Sequence, residues 1–185
     1  MYNITETKFK GLYIFEPQVF TDGRGYFFES YNAEVWKAAG IETVFVQDNE
    51  SQSKFGTVRG LHYQIPDYAQ SKLVRVTSGE VIDVVVDLRK NQDTYGKYFS
   101  ITLSQDNKKQ LLIPRGFAHG FVTISDQATF NYKCDNYYNK ESEFGIHPLD
   151  ETLNIDWKIE SKNMILSEKD KAQPTFGSHT PYEQS

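Results

Sequence analysis

The stretch 72-KLVRVTSGEVIDVVVDLRK-90 carries two β-branched runs on either side of Ser78-Gly79-Glu80, a turn signal. Within 81-VIDVVVDL-88, period-two alternation sets Ile82, Val84, Val86 and Leu88 on one face. That face is purely apolar and reads as core. The other face holds Val81, Asp83, Val85 and Asp87. Two carboxylates among valines suit a barrel wall turned towards a polar cavity, or one turned towards solvent. The pattern leaves both open. In 72-KLVRV-76 the same alternation separates Lys72, Val74 and Val76 from Leu73 and Arg75.

Working outward, further strand-like runs follow in YGKYFSITLS (95–104), KKQLLIPRGFAHGFVTI (108–124) and QATFNYKCDNYY (127–138), with polar turns such as QDN and SDQ between them. Short strands at this spacing, without helical patterns between them, predict an all-β sandwich or barrel. NAEVWKAAG (32–40) alone looks helical, with Gly40 as its stop. The N-terminal GLYIFEPQVFTDGRGYFFESYN (11–32) reads as further strands broken at Asp22-Gly23. NIDWKIESKNMILSEKDKAQPTF (154–176) is more polar and predicts short peripheral helices or a packed arm. Residues from about 175 to 185, His179 among them, read as a frayed, flexible tail. No repeat at solenoid spacing interrupts the chain, so a single domain over 1–185 is expected.

Composition narrows the function. A chain of 185 residues can bury a core without disulfides, and its single cysteine, Cys134, cannot form an intrachain pair. The start lacks a basic region followed by an apolar one, and no uncharged apolar run reaches membrane-spanning length. No membrane association and a cytoplasmic location are therefore expected. A net charge of -5 without a basic cluster argues against nucleic acid as a partner, yet permits a local site for a phosphorylated small molecule.

Of the four histidines, His62 (in RGLHYQ) and His119 (in PRGFAHGF) stand beside glycines and aromatics, where backbone can approach a ligand closely. There is no CxxC, HExxH or H-x-H, and Gln64 stands where a second histidine would follow His62. GxSxG, GxGxxG and P-loop patterns are also missing. No metal and no cofactor is signalled. Proton transfer fits the inventory: a neutral histidine can take a carbon-bound proton beside a ketone, a lysine or histidine can stabilise the enolate oxygen, and a tyrosine can return a proton from the other face. Tyr63, Tyr132, Tyr137 and Tyr138 are all candidates for that acid.

The runs IFEPQVFTDGRGYFFESYN, VFVQDNESQSKFGTVRGLHYQ, KLVRVTSGEVIDVVVDLRK, IPRGFAHGFVTIS, NYKCDNYYNKESEFGI and ILSEKD, in this order over about 3–170, resemble the dTDP-4-dehydrorhamnose 3,5-epimerase family. The resemblance implies a cupin-type jelly roll that inverts C3 and C5 of dTDP-4-dehydro-6-deoxy-D-glucose, supplying rhamnose for surface polysaccharide. A relative that inverts only C3 or C5, or a non-catalytic sugar-nucleotide binder, is the alternative. It implies His62 as general base with Asp170 as its carboxylate partner, Tyr132 as general acid, and Lys72 and His119 at the enolate oxygen. Arg24, Phe27, Glu29, Gln47, Asn49, Arg59, Tyr138, Glu143 and Lys169 would complete the nucleotide-sugar site, the arginines facing diphosphate. It further implies a homodimer with exchanged N-terminal strands. Family members often continue as RGIRWDDP where this chain has 144-FGIHPLDE-151, which puts the pocket rim in question and makes His147 more structural than catalytic.

Overall fold

The computed structural model describes residues 2–183. Its strands are β1 (Tyr2–Glu6), β2 (Tyr13–Pro17), β3 (Phe20–Asp22), β4 (Gly25–Phe27), β5 (Gln47–Lys54), β6 (Val58–Gln64), β7 (Lys72–Ser78), β8 (Glu80–Asp87), β9 (Tyr98–Ser104), β10 (Gln110–Ile113), β11 (Phe117–Thr123), β12 (Gln127–Cys134) and β13 (Glu143–Gly145). Two short helices, α1 (Ala33–Ala38) and α2 (Glu168–Lys171), lie outside the sheets. One sheet runs β1-β2-β10-β7-β12-β5, and the other β13-β6-β11-β8-β9. Antiparallel pairs β8–β9, β7–β10, β6–β11 and β5–β12 are nested, as when one long hairpin is rolled across two sheets. This is the jelly roll, of cupin type.

The turn at Gly79 (φ +74°) does not join paired strands: β7 belongs to one sheet and β8 to the other. The chain crosses the sandwich there, and a Cβ at Gly79 would stand 2.0 Å from the Gln127 carbonyl oxygen.

Both faces of β8 are buried, which decides what its alternation left open. Val81 and Val85 meet Val74, Val76, Leu111, Phe121 and Phe130 between the sheets. Ile82, Val84, Val86 and Leu88 form the opposite face, covered by Ile146, Leu153, Trp157 and Tyr182 from the C-terminal part. The carboxylates therefore point into the sandwich, and both are fully buried. Asp87 is satisfied by Arg89 (2.8 and 2.7 Å) and Thr94 (2.6 Å). A third cluster forms under α1, where Trp36 stacks on Phe15 at 4.1 Å beside Leu73 and Leu112. Asn32 caps this helix by accepting from the backbone N–H of Glu34 and Val35, and Gly40 (φ +79°) follows its end.

The expected frayed tail is corrected within the described residues. Tyr182 and His179 are buried, Phe176 packs on the outer apolar layer, and Tyr63 donates its hydroxyl to the Thr180 carbonyl. The polar composition of the segment hid three rings that have a large apolar face to cover. His147 sits in a turn, where its Nδ1 accepts from the Leu149 N–H at 3.1 Å. It binds its own turn, away from the pocket described next.

Candidate active site

His62 on β6 and His119 on β11 are direct cross-strand partners. Two glycines allow it. A Cβ at Gly60 would lie 2.5 Å from the Gly120 Cα, and one at Gly120 would lie 2.6 Å from the Arg59 carbonyl oxygen. The backbones thus meet closely beside both histidines, and the register shifts between His119 and Phe121.

Each histidine holds a carboxylate. His62 Nε2 is 2.6 Å from Asp170 Oδ1, and Asp170 is held in turn by Ser167, whose hydroxyl donates to Oδ2 at 2.9 Å. Ser167 is also the N-cap of α2 and accepts from the Asp170 N–H at 3.1 Å. Burial pushes the Asp170 carboxyl up, but the bonds from His62 and Ser167 outweigh it and hold it below the usual carboxylate range. The second pair is His119 Nε2 with Asp83 Oδ2, at 2.8 Å.

His62, His119, Ser167 and Asp170 line a cavity of about 540 Å³ with Arg59, Lys72, Phe121, Phe130, Tyr132 and Lys169. Lys72 stands with its ammonium 5.8 Å from the centre of the Tyr132 ring, and burial lowers its pKa. Burial raises that of Tyr132, so its phenol stays protonated at neutral pH. An adjoining hollow of about 290 Å³ shares His62, Lys72 and Tyr132 and adds Gln47, Asn49, Tyr138 and Glu143. Glu143 accepts from the Tyr138 hydroxyl (2.9 Å) and pairs with Lys169 (2.6 Å). Arg59 is anchored by donating to Ser53 Oγ at 3.0 Å.

Arg24, Phe27 and Glu29 are not brought to this cavity within the described chain. Arg24 and Phe27 sit on the β3–β4 hairpin, with Arg24 paired to its neighbour Asp22 at 2.6 Å and Phe27 68% exposed. Glu29 follows the hairpin and accepts from Asn32 at 3.1 Å.

Sequence reasoning passed over Ser167, Asp83 and Gln64 as site residues. The S-x-x-D spacing of 167–170 is an N-cap signature that marks Ser167. Gln64 is buried and bonded to three backbone groups, the carbonyls of Tyr68 and Tyr137 and the N–H of Asn139, so it fastens the loop that carries Tyr138. Among the described residues no cluster of three His, Cys, Asp or Glu is placed to hold a metal.

Fold and site together define a cupin-type sandwich with acid–base groups and cations gathered in its mouth. Residues 6–178 match the family described as dTDP-4-dehydrorhamnose 3,5-epimerase. The chain belongs to this family. It is 51% identical over 169 residues to the dTDP-4-dehydrorhamnose 3,5-epimerase of Shigella flexneri, covering 91% of this chain and 92% of that one. A dTDP-6-deoxy-D-glucose-3,5-epimerase from Legionella pneumophila, solved with dTDP-4-keto-L-rhamnose, superposes with a TM-score of 0.93 at 45% identity over 100% of both chains. A 3'-monoepimerase from Streptomyces bikiniensis, solved with dTDP, gives 0.87 at 28% identity over 94% of this chain and 87% of that one.

Proposed function

We propose that the protein, as one epimerase domain, converts dTDP-4-dehydro-6-deoxy-D-glucose to dTDP-4-dehydro-L-rhamnose by inverting C3 and C5. The observation that carries the mechanism is the His62–Asp170 pair opening into the same cavity as Lys72, His119 and Tyr132. His62 removes the proton on a carbon next to the C4 ketone, while Asp170 fixes the ring and offsets the imidazolium that forms. Charge develops on the C4 oxygen, where Lys72 and His119 are the donors. Tyr132, on the sheet opposite the one that carries His62, delivers a proton to the opposite face. Arg59 takes the diphosphate as a guanidinium fork, and Gln47, Asn49, Tyr138, Glu143 and Lys169 border the rest of the nucleotide sugar. No step calls for an organic cofactor or a metal.

The working unit is a homodimer in which the N-terminal hairpin is exchanged, so that Arg24, Phe27 and Glu29 act in the partner's cavity. Two features support it: the hairpin exposes Phe20 (53%), Tyr26 (60%) and Phe27 (68%), and Arg24, Phe27 and Glu29 do not line their own chain's cavity. Such an enzyme works in the cytoplasm, where the sugar nucleotides are.

Incubation with the substrate in deuterated water, followed by NMR, tests the function. Deuterium at both C3 and C5, with the L-configured 4-keto sugar accumulating, is expected. Exchange at one centre alone would replace the double epimerase by a single-centre one. His62→Ala should abolish exchange, losing at least about 10³-fold in kcat, whereas Tyr132→Phe should retain exchange but lose inversion. Exchange surviving in His62→Ala would remove His62 as the base.

A further inference from the structure

Two strands carry an apolar pair into the middle of the reacting groups. The inward face of β11 presents Phe121 two residues after His119, and that of β12 presents Phe130 two residues before Tyr132. The two phenylalanine rings stack across the sandwich, with 4.2 Å between centroids and 14° between planes. Phe130 in turn lies 6.0 Å from the His119 ring and 6.2 Å from the Tyr132 ring. Both phenylalanines line the cavity beside Lys72 and are otherwise buried between the sheets. Asp83, opposite Phe121 on β8, does not line the cavity. It is fully buried and gives Oδ2 to His119, and its Oδ1 has no hydrogen-bond partner among the described residues. The remaining apolar lining is Val58, Ile165 and Leu166, from the start of β6 and the segment bridged to it at Thr57 and Ile165, where Ile165 is 44% exposed.

The sugar in the reading above has one substituent that cannot hydrogen-bond, the methyl group on C5. C4 lies between C3, which bears a hydroxyl, and C5, which bears that methyl. With the C4 oxygen at Lys72 and His119, a substituent of one of these two carbons meets the aromatic pair beside His119. A hydroxyl there would lose its water and gain no partner, a cost that a methyl group does not incur. We infer that Phe121 and Phe130 form the subsite for the C5 methyl and make the protein selective for 6-deoxy sugars over their 6-hydroxy counterparts. The contact also sets which way round the ring lies: C5 is held against the stacked rings, and C3 is turned towards the polar lining.

The inference rests on the epimerase assignment above, yet its test needs no turnover. Three ligands without the C4 ketone differ only at C5: dTDP-6-deoxy-D-glucose carries a methyl group there, dTDP-D-xylose a hydrogen and dTDP-D-glucose a hydroxymethyl group. Calorimetric titration of wild type should give the lowest Kd for the first, a Kd about tenfold higher for the second and one about 10²-fold higher for the third. These are the sizes expected of a missing carbon and of an added hydroxyl in an apolar pocket. Phe121→Thr, which brings a hydroxyl and space to the subsite, should shrink the gap between the 6-deoxy and 6-hydroxy sugars to about threefold. Phe130→Leu should weaken the 6-deoxy sugar about tenfold and leave dTDP-D-xylose nearly unchanged. Thermal melts verify folding, and if either variant does not fold, the wild-type series and the other variant still decide. Equal affinities of wild type for the three ligands, or no binding of the 6-deoxy sugar, would overturn the inference. So would a gap that survives in both variants, or one that closes in Ile165→Thr instead, which would place the methyl at the cavity mouth. Deuterium exchange into the keto substrate is run on the same wild-type sample. Normal exchange beside any of those results removes the methyl subsite alone, whereas no exchange removes the epimerase assignment itself.

Discussion

At the scale of single residues, the site depends on short polar side chains that place the reactive ones. Ser167 both caps α2 and donates to Asp170, so Ser167→Ala removes two bonds at once. It should cost about 1 kcal/mol in a urea melt and lower kcat more than it raises KM. The carboxyl of Asp170 titrates below its ordinary range, which gives a sign for acid stability. Its contribution is fully present above the unfolded value, near about pH 4, and is lost as pH falls through the lower folded value. The stability gap between wild type and Asp170→Asn should therefore be constant from neutral pH down to about 4 and shrink below it. A gap that widens on acidification would contradict the depressed pKa. The histidines were legible in sequence because glycines and aromatics surround them. Their carboxylates were less so: Asp170 lies 108 positions from His62, and nothing local in SEKD announces which oxygen meets which ring.

At the scale of elements, alternation did most of the prediction. Lys72, Val74 and Val76 share the inner face of β7, and Leu73 faces the layer under α1, as the period of two required. Helix α1 was read from the pattern of NAEVWKAAG with Gly40 as its stop, and its stability rests on Trp36 over Phe15. Trp36→Ala should cost about 3–5 kcal/mol, whereas Trp36→Phe should cost far less, because the buried indole N–H has no partner among the described residues and adds nothing to stability. A urea titration of the two variants checks the difference. What the strings of residues concealed was pairing. The runs flanking Gly79 look like one hairpin but lie in different sheets, since the partners that win, β10 and β12 for β7, and β9 and β11 for β8, lie elsewhere in the chain.

At the scale of the whole molecule, the C-terminal part behaves as a cover for the outer face of β8. Truncation after Pro174 removes Phe176 and Tyr182 from that layer, and Tyr182→Ala alone should cost about 3 kcal/mol by thermal or urea unfolding. Exchange of the N-terminal hairpin has its own test. Arg24→Ala and His62→Ala homodimers should each be impaired, but unfolding and refolding them together should restore about a quarter of wild-type activity, because half the dimers are mixed and one cavity in each is complete. No recovery on mixing would place Arg24 in its own chain's cavity or outside the site. The sequence by itself determined the all-β class, the apolar faces, a helix near 32–40 and the family, because these follow from local periodicity and from motifs whose order the chain preserves. Tertiary structure alone decided that both faces of β8 are buried, that Asp87 is satisfied while Asp83 keeps a free oxygen, and that the polar-looking end of the chain is packed. Those outcomes depend on which distant groups arrive at a carboxylate or an apolar face, and a buried charge takes its meaning from its neighbours in space.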